Sequence, residues 1–231
     1  MTEIITIEYA FTFEDKSVKN VTIDLNKKSL RLISETPPKP PEWTKLENQK
    51  CKNCTLKESD SPHCPVALNL IPIVNSFSGH LSFQDVDVTV TTIERTYQTK
   101  TTLQTGLSAL IGIIMVTCGC PVMERLKPMV RFHLPFATVQ ETFFRMFSMY
   151  LMSQYIRQKK GGEPKWEYEE LTDIYNEVGI LNRTFAKRIS GAARTDAHMN
   201  ALVNLDCFAT IIPLSIDNYL KDIEDDFTAF L

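Results

Sequence analysis

The sequence predicts an α+β protein, with an N-terminal antiparallel β meander plus one further strand region, packed on a C-terminal helical half. Apolar residues alternate with polar ones through much of the first hundred residues, and from Thr101 onward they recur at helical spacing. Because strands and helices are segregated along the chain, this pattern favours α+β over a doubly wound α/β sheet. The 231 residues are 43% hydrophobic and 23% charged, which is ordinary for a globular protein able to bury a core without disulfides.

The meander is expected within residues 1–35. Residues 5–13 alternate strictly between apolar and polar types, residues 21–25 continue the alternation, and Leu30–Ile33 suggests a short third strand. A sheet this small cannot bury its apolar face alone, so it is expected to pack on elements downstream.

The remaining chain divides into a Pro-rich linker with a cysteine loop, residues 36–64, and a mixed, then mainly helical part, residues 65–231. One compact unit is expected to contain all three parts. Residues 65–77 are predicted as a helix kinked at Pro72. A further strand region is expected from Val86 towards Tyr97, with an irregularity near Thr92–Ile93 where the alternation changes parity.

Three long helices are predicted after this region. The first begins at a capping box formed by Thr138 and Glu141 and ends at Gly161–Gly162. Its segment Phe143–Met152 is apolar on nearly every side, which is typical of a buried central helix or of a contact with a protein partner or a second copy. Residues 171–189 and 199–212 form the other two, the last bent at Pro213.

Charge and apolar run lengths exclude several classes of partner. The net charge of −3 argues against a general nucleic-acid binder, which usually carries a basic surface. The N-terminus has no signal-peptide pattern, and the longest apolar stretch, Leu107–Val116, is about half a membrane span. We therefore expect a cytoplasmic protein with no membrane or nucleic-acid partner.

The most specific pattern is a set of cysteines. Cys51 and Cys54 are separated by two residues, Cys64 follows after nine intervening residues, and Cys118 and Cys120 come about 55 residues further on. In a cytosolic chain such cysteines indicate a metal site or thiol chemistry before structural disulfides. Cys64 and Cys120 each precede a proline suited to the first turn of a helix, where the dipole and free N–H groups favour a thiolate.

The predicted ligands are Cys51, Cys54, Cys64 and Cys120, with Cys118 or His63 as substitutes for the fourth. The bound group would be zinc or an iron–sulfur cluster. Reduced free thiols, a redox-active pair and a structural disulfide stay open as alternatives. Cys207 lies in an apolar stretch and is expected to be a buried small residue.

Four strings resemble those of an uncharacterised bacterial protein family: Lys50–Leu56, Cys64–Ala67, Gly119–Pro121 and His133–Phe136. The resemblance covers most of the chain. The family has no established activity, so the resemblance implies no function and assigns no role to any residue.

The function expected from these patterns is a non-catalytic metal-binding interaction or sensory module. The alternative is a cysteine-dependent redox or nucleophilic enzyme centred on Cys120, with His133 as base and Arg125 or Arg131 holding an anionic substrate. The sequence contains no Walker loop, zincin motif or Gly-x-Ser-x-Gly elbow, and these exclusions favour the non-catalytic interpretation.

Overall fold

The α+β class is confirmed in the computed structural model, which describes residues 3–191 and 196–231, without the side chains of residues 212 and 213. Its sheet has four antiparallel strands: β1 (Ile4–Phe13), β2 (Val18–Asn26), β3 (Asp85–Thr91) and β4 (Thr96–Thr102). The strand order is β2-β1-β3-β4. Strands from the predicted meander and from the middle of the chain therefore share one sheet.

The predicted third strand of the meander at Leu30–Ile33 is wrong. Leu30 has a positive φ of 54°, and the side-chain oxygen of Asn26 accepts the N–H groups of Lys28 and Ser29, so the chain reverses in a tight turn after β2. Only one isolated bridge, between Leu25 and Leu32, follows this turn. The strand β3 pairs instead with the other edge of β1, in a register that pairs residues 8–13 with residues 86–91, and β2 stays at the edge of the sheet.

The further strand region is a hairpin of two strands, β3 and β4. The predicted irregularity near Thr92–Ile93 lies at its turn, where the Thr92 N–H donates to the carbonyl oxygen of Arg95 at 2.9 Å. The alternation of apolar and polar residues shifts by one position here because the chain reverses at this turn. The pattern of β4 begins anew and does not continue that of β3.

The helices follow the predicted pattern. They are α1 (Pro65–Ser76), α2 (Leu103–Thr117), α3 (Val139–Lys159), α4 (Glu169–Ser190) and α5 (Ala197–Ile223). Short 3-10 helices occupy Glu42–Thr44, Met123–Phe132 and Glu224–Phe230. Pro72 lies inside α1, and the capping box of Thr138 and Glu141 opens α3. The predicted bend at Pro213 falls where the side chains are outside the described part.

Helix α2 is the centre of the core. It contacts β3 and β4 on one side and α1 and α5 on others. A Cβ on Gly106 would lie 2.8 Å from Phe11 Cε1 and 2.9 Å from Val88 Cγ2, so glycine lets α2 approach the sheet closely. Within the described chain, no single helix is long and apolar enough to cross a membrane, although Ala197–Ile211 and Leu214–Phe230 would qualify together as one bent pair.

Helix α3 is apolar on two sides that have different surroundings. Phe143, Met146 and Tyr150 are buried against the rest of the protein, whereas Phe144 is 50% exposed and Met152 is 63% exposed. The segment Phe143–Met152 thus contributes to the core and also leaves apolar side chains at the surface.

Candidate functional site: a cluster of thiols

Five of the six cysteines are located at chain turns and helix ends around one end of α2. Cys51 and Cys54 lie in the loop before α1, where the Cys54 N–H donates to the Cys51 carbonyl oxygen at 3.0 Å. Cys64 is the residue preceding α1, and Cys118 directly follows α2. All six cysteines are free thiols.

The four predicted ligands are neighbours. Burial is the main cause that raises the pKa of Cys51 to about 12, and the charges that Cys64, Cys120 and Cys54 would carry as thiolates contribute to this rise. The Cys120 thiol is likewise affected by Cys64 and Cys54. Because a charge acts strongly only on nearby groups, the folded chain has brought residues 51, 54, 64 and 120 into one region.

Two of these sulfurs accept backbone hydrogen bonds at the start of a helical segment. The N–H groups of Ala67 and Val66 act on Cys64, and those of Met123 and Val122 act on Cys120. They favour the thiolates, yet burial is the larger effect and leaves the pKa of Cys64 raised and that of Cys120 at about 11. The thiols of Cys64 and Cys120 are therefore protonated at neutral pH.

The helix predicted to begin at Pro121 begins later. The residues after Cys120 form a 3-10 helix that starts at Met123, with Val122 before it. The N–H groups that reach the sulfur are nevertheless those of the first turn, so the physical basis of the prediction holds although the boundary does not.

Both substitute ligands are engaged elsewhere. The Cys118 thiol donates to the carbonyl oxygen of Met115 at 3.3 Å, and burial is the main cause that raises its pKa. The Nδ1 atom of His63 forms a 2.8 Å hydrogen bond with the Thr44 hydroxyl. These contacts favour Cys120 over Cys118 and His63 as the fourth thiol of the set.

The thiols do not form a finished coordination sphere. Within residues 3–191 and 196–231, no group of three or more His, Cys, Asp or Glu side chains is placed to hold a metal ion. The structure thus brings the four cysteines into one neighbourhood without converging their sulfur atoms on one point.

A buried arginine holds the loop that carries Cys51 and Cys54. Arg188 on α4 is 3% exposed. Its Nη1 donates to the carbonyl oxygens of Trp43 at 2.9 Å and Lys45 at 2.6 Å, and its Nη2 donates to those of Leu46 at 3.1 Å and Gln49 at 3.2 Å. One guanidinium therefore binds a seven-residue stretch of irregular backbone to a regular helix. Its charge also favours the thiolates of Cys51 and Cys64.

A second contact attaches the Cys51–Cys54 turn to the same helix. The Asn53 side-chain amide donates to the Glu177 carbonyl oxygen at 3.0 Å and to the Glu177 carboxylate. Asn53 lies between the two cysteines, so its contact attaches the centre of the turn to α4. The Arg188 contacts attach the loop before the turn to the same helix.

The turn between Cys118 and Cys120 depends on glycine. Gly119 has a φ of 97°, and a Cβ there would lie 2.5 Å from Arg31 Nη1. Arg31 forms an ion pair with Glu124 at 3.6 Å, and the Leu32 N–H donates to the Thr117 carbonyl oxygen at 3.0 Å. The segment predicted as a third strand therefore packs on the end of α2 and supports this turn.

The geometry does not favour the alternative based on Cys120 and His133. His133 Nε2 forms a 2.6 Å hydrogen bond with the Tyr9 hydroxyl. Burial, followed by the charge of Arg145, lowers the pKa of His133 to about 3. Arg131 donates to the carbonyl oxygen of Lys27 at 2.9 Å, and Arg125 is exposed. A thiol with a pKa near 11 and an imidazole with a pKa near 3 do not form an activated nucleophile at neutral pH.

The expectation that Cys207 is buried is wrong. Cys207 is exposed on α5. The apolar residues around Cys207 occupy more of the circumference of α5 than the protein buries. A position within this stretch therefore does not determine whether a side chain is buried.

Comparison with known proteins shows a family but no function. Residues 7–228 match a family described as a domain of unknown function, DUF6901. The chain belongs to this family. No curated protein and no solved structure shows a significant match.

The sequence analysis missed Arg188 and Asn53. Arg188 had a usable pattern, because it falls three residues after Phe185 and seven after Leu181, on the apolar face of the predicted helix. A charged residue at such a position is expected to have buried hydrogen-bond partners. Asn53 had no comparable pattern, since a polar residue inside a Cys-x2-Cys turn is ordinary.

Proposed function

We propose that this protein is a non-catalytic metal-binding module in which Cys51, Cys54, Cys64 and Cys120 bind one zinc ion or one iron–sulfur cluster. The observation that carries the proposal is the neighbourhood of these four thiols, drawn from three separate chain segments. The hydrogen bonds that Cys64 and Cys120 accept from backbone N–H groups support it further, because such bonds stabilise the thiolate that a metal requires.

Metal binding would complete an arrangement that the chain has partly formed. The metal would draw the four sulfurs together and replace the thiol protons. The Arg188 and Asn53 contacts already restrict the loop, so the entropy lost on binding is smaller than for a free loop.

The bound metal would join three segments that regular secondary structure does not join: the Cys51–Cys54 turn, the start of α1 and the turn after α2. Loss or oxidation of the metal site would release the turn from α2. In the sensory form of the proposal, this change alters the exposed apolar residues of α3, Phe144 and Met152, and thereby a protein partner or a second copy. A cytoplasmic location, where thiols stay reduced, fits this chemistry.

The first test is anaerobic purification followed by metal analysis and a visible absorption spectrum. About one zinc per chain without colour supports a zinc site, and iron with broad visible absorption supports a cluster. A protein that contains neither metal, and that binds neither when zinc or iron with sulfide is supplied, refutes the proposal.

The second test uses a matched pair of variants two residues apart. Cys120→Ser is expected to lose the metal, whereas Cys118→Ser is expected to keep it, because a serine hydroxyl can replace the Cys118 hydrogen bond to Met115. Cys54→Ser should behave like Cys120→Ser, and Cys207→Ser serves as the exposed control. Equal metal content in all four variants would show that the ligands have been assigned incorrectly.

A further inference from the structure

A second feature of the fold is a cavity of about 660 Å³ among the helices. Its wall includes residues from β4, α2, the 3-10 helix Met123–Phe132, α3, α4 and α5. The volume lies within the range of small-molecule binding sites. Cys51, Cys54, Cys64 and Cys120 are not among its described lining residues, so this cavity is separate from the thiol cluster.

Most of the wall is apolar, and most of its polar groups are already hydrogen-bonded within the protein. The Ser108 hydroxyl donates to the carbonyl oxygens of Gln104 and Ala201, both at 2.8 Å. His133 is bonded to Tyr9. These groups shape the wall and leave little polar capacity for a ligand.

Among the described wall residues, Asn182 on α4 carries the fully buried polar atom that lacks such a bond. It is 1% exposed, lines the cavity, and its Oδ1 atom is buried without a hydrogen-bond partner among the described residues. Leaving a buried acceptor unpaired is costly. A ligand with an O–H or N–H group in the cavity would provide the missing donor.

Arg145 on α3 is the single charged side chain among the described residues that line the cavity. Its Nη2 donates to the carbonyl oxygens of Met129 at 2.9 Å and Phe132 at 3.1 Å, which leaves Nη1 and Nε outside these two bonds. Burial lowers the pKa of Arg145, so its guanidinium is incompletely solvated. Nearby Glu141 is exposed and occupied by the capping box with Thr138.

We propose that this cavity binds a mainly apolar monocarboxylic acid, whose hydrocarbon part fills the cavity and whose carboxylate pairs with Arg145. A hydroxyl group elsewhere on the same ligand donates a hydrogen bond to the Asn182 Oδ1 atom. The apolar wall selects against small inorganic anions, and the guanidinium selects against neutral or cationic molecules of the same length.

The test is titration of the purified protein with three probes of equal chain length: decanoate, 1-decanol and decyltrimethylammonium, each below its micelle concentration. Calorimetry measures affinity, and carbon-13 methyl NMR locates the binding. Decanoate is expected to bind at least about tenfold more tightly than decanol, with changes at cavity residues such as Met129 and Leu205. The cationic probe is expected not to bind.

Arg145→Gln should abolish the preference for decanoate but still bind decanol, which also shows that the variant is folded. Arg145→Lys retains the charge and should keep part of the preference. With 10-hydroxydecanoate as a further probe, Asn182→Leu should weaken binding of 10-hydroxydecanoate more than that of decanoate, because only the former has a hydroxyl that can donate to Asn182 Oδ1, whereas the exposed Arg125→Gln should change neither. The proposal is overturned if the wild type binds none of the probes, if binding maps outside the cavity, or if Arg145→Gln leaves the preference for decanoate unchanged.

Discussion

Arg188 is expected to be among the most sensitive positions in the protein, because four backbone carbonyls depend on it. Replacement by Met preserves the length and apolar stem of the side chain while removing every donor. The Leu46 carbonyl bond is buried, whereas Lys45 and Gln49 are exposed residues whose carbonyls can regain water. The lost hydrogen bonds that water replaces poorly lower the free energy of unfolding. Removing the buried charge offsets part of this loss, because its desolvation penalty disappears. We expect a net loss of about 4 kcal/mol in the free energy of unfolding.

This loss is large beside a typical free energy of unfolding of about 5–15 kcal/mol. For a chain of this length it corresponds to a fall in Tm of about 8–16 °C. Arg188→Lys, which keeps the charge but reaches fewer carbonyls, should lose less. The matched control is Arg183→Met, five residues earlier on α4, where an exposed ion pair with Asp206 should contribute less than about 1 kcal/mol.

The assay is urea denaturation of each variant, with and without a chelator to separate metal effects, combined with hydrogen exchange. Amides of residues 44–54 should exchange faster in Arg188→Met than in wild type. If Arg188→Met and Arg183→Met lose the same small amount of stability, or if exchange in this loop does not change, the role assigned to Arg188 is wrong.

Three further predictions concern the core, the pH dependence and a helix end. Gly106→Ala should lower the free energy of unfolding by about 1–3 kcal/mol, because the added methyl group overpacks against Phe11. Gly112→Ala, where the nearest atom is 3.7 Å away, should be neutral or stabilising. Equal urea midpoints for these two variants would contradict this prediction. The pKa of His133 is lowered from 6.5 to about 3, so the unfolded chain takes the proton first and the free energy of unfolding falls as pH drops below 6.5. The fall should reach at most about 1.4 kcal/mol per pH unit and should shrink in His133→Gln; parallel pH curves for the two proteins would refute it. Thr138→Ala should lose about 1 kcal/mol at the start of α3 while Thr138→Ser, which keeps the hydroxyl, should lose less; identical thermal unfolding of the two would count against the capping box.

The sequence predicts which residues belong to the candidate site but not how their side chains are arranged. The spacing of Cys51, Cys54 and Cys64 singled out these residues, and the Cys-Pro pattern added Cys120. Which of Cys118 and Cys120 is the better candidate for the fourth position depends on the direction of each side chain. That direction follows from the left-handed backbone at Gly119 and from the Cys118 hydrogen bond to α2, neither of which spacing reveals. The metal itself stays a prediction.

The cavity was not predictable at all. Arg145 and Asn182 are 37 positions apart on separate helices, and each alone looks like an ordinary polar residue on an amphipathic helix. Their placement around one space depends on how α3, α4 and α5 pack, which is decided by the fit of side chains across helices and not by the period of any one helix.

Local side-chain patterns predict the α+β class, the period of β1 and β2, the helices α1, α3, α4 and α5, and the capping box of Thr138. These features depend on side-chain alternation and on hydrogen bonds between near neighbours, which a short stretch of chain contains completely. Only the tertiary structure decided that β3 pairs with β1, that Cys207 faces solvent, and that Arg188 holds the cysteine loop. Those outcomes depend on which of several compact arrangements buries the most apolar surface while satisfying its polar groups, and that choice involves residues far apart in the chain.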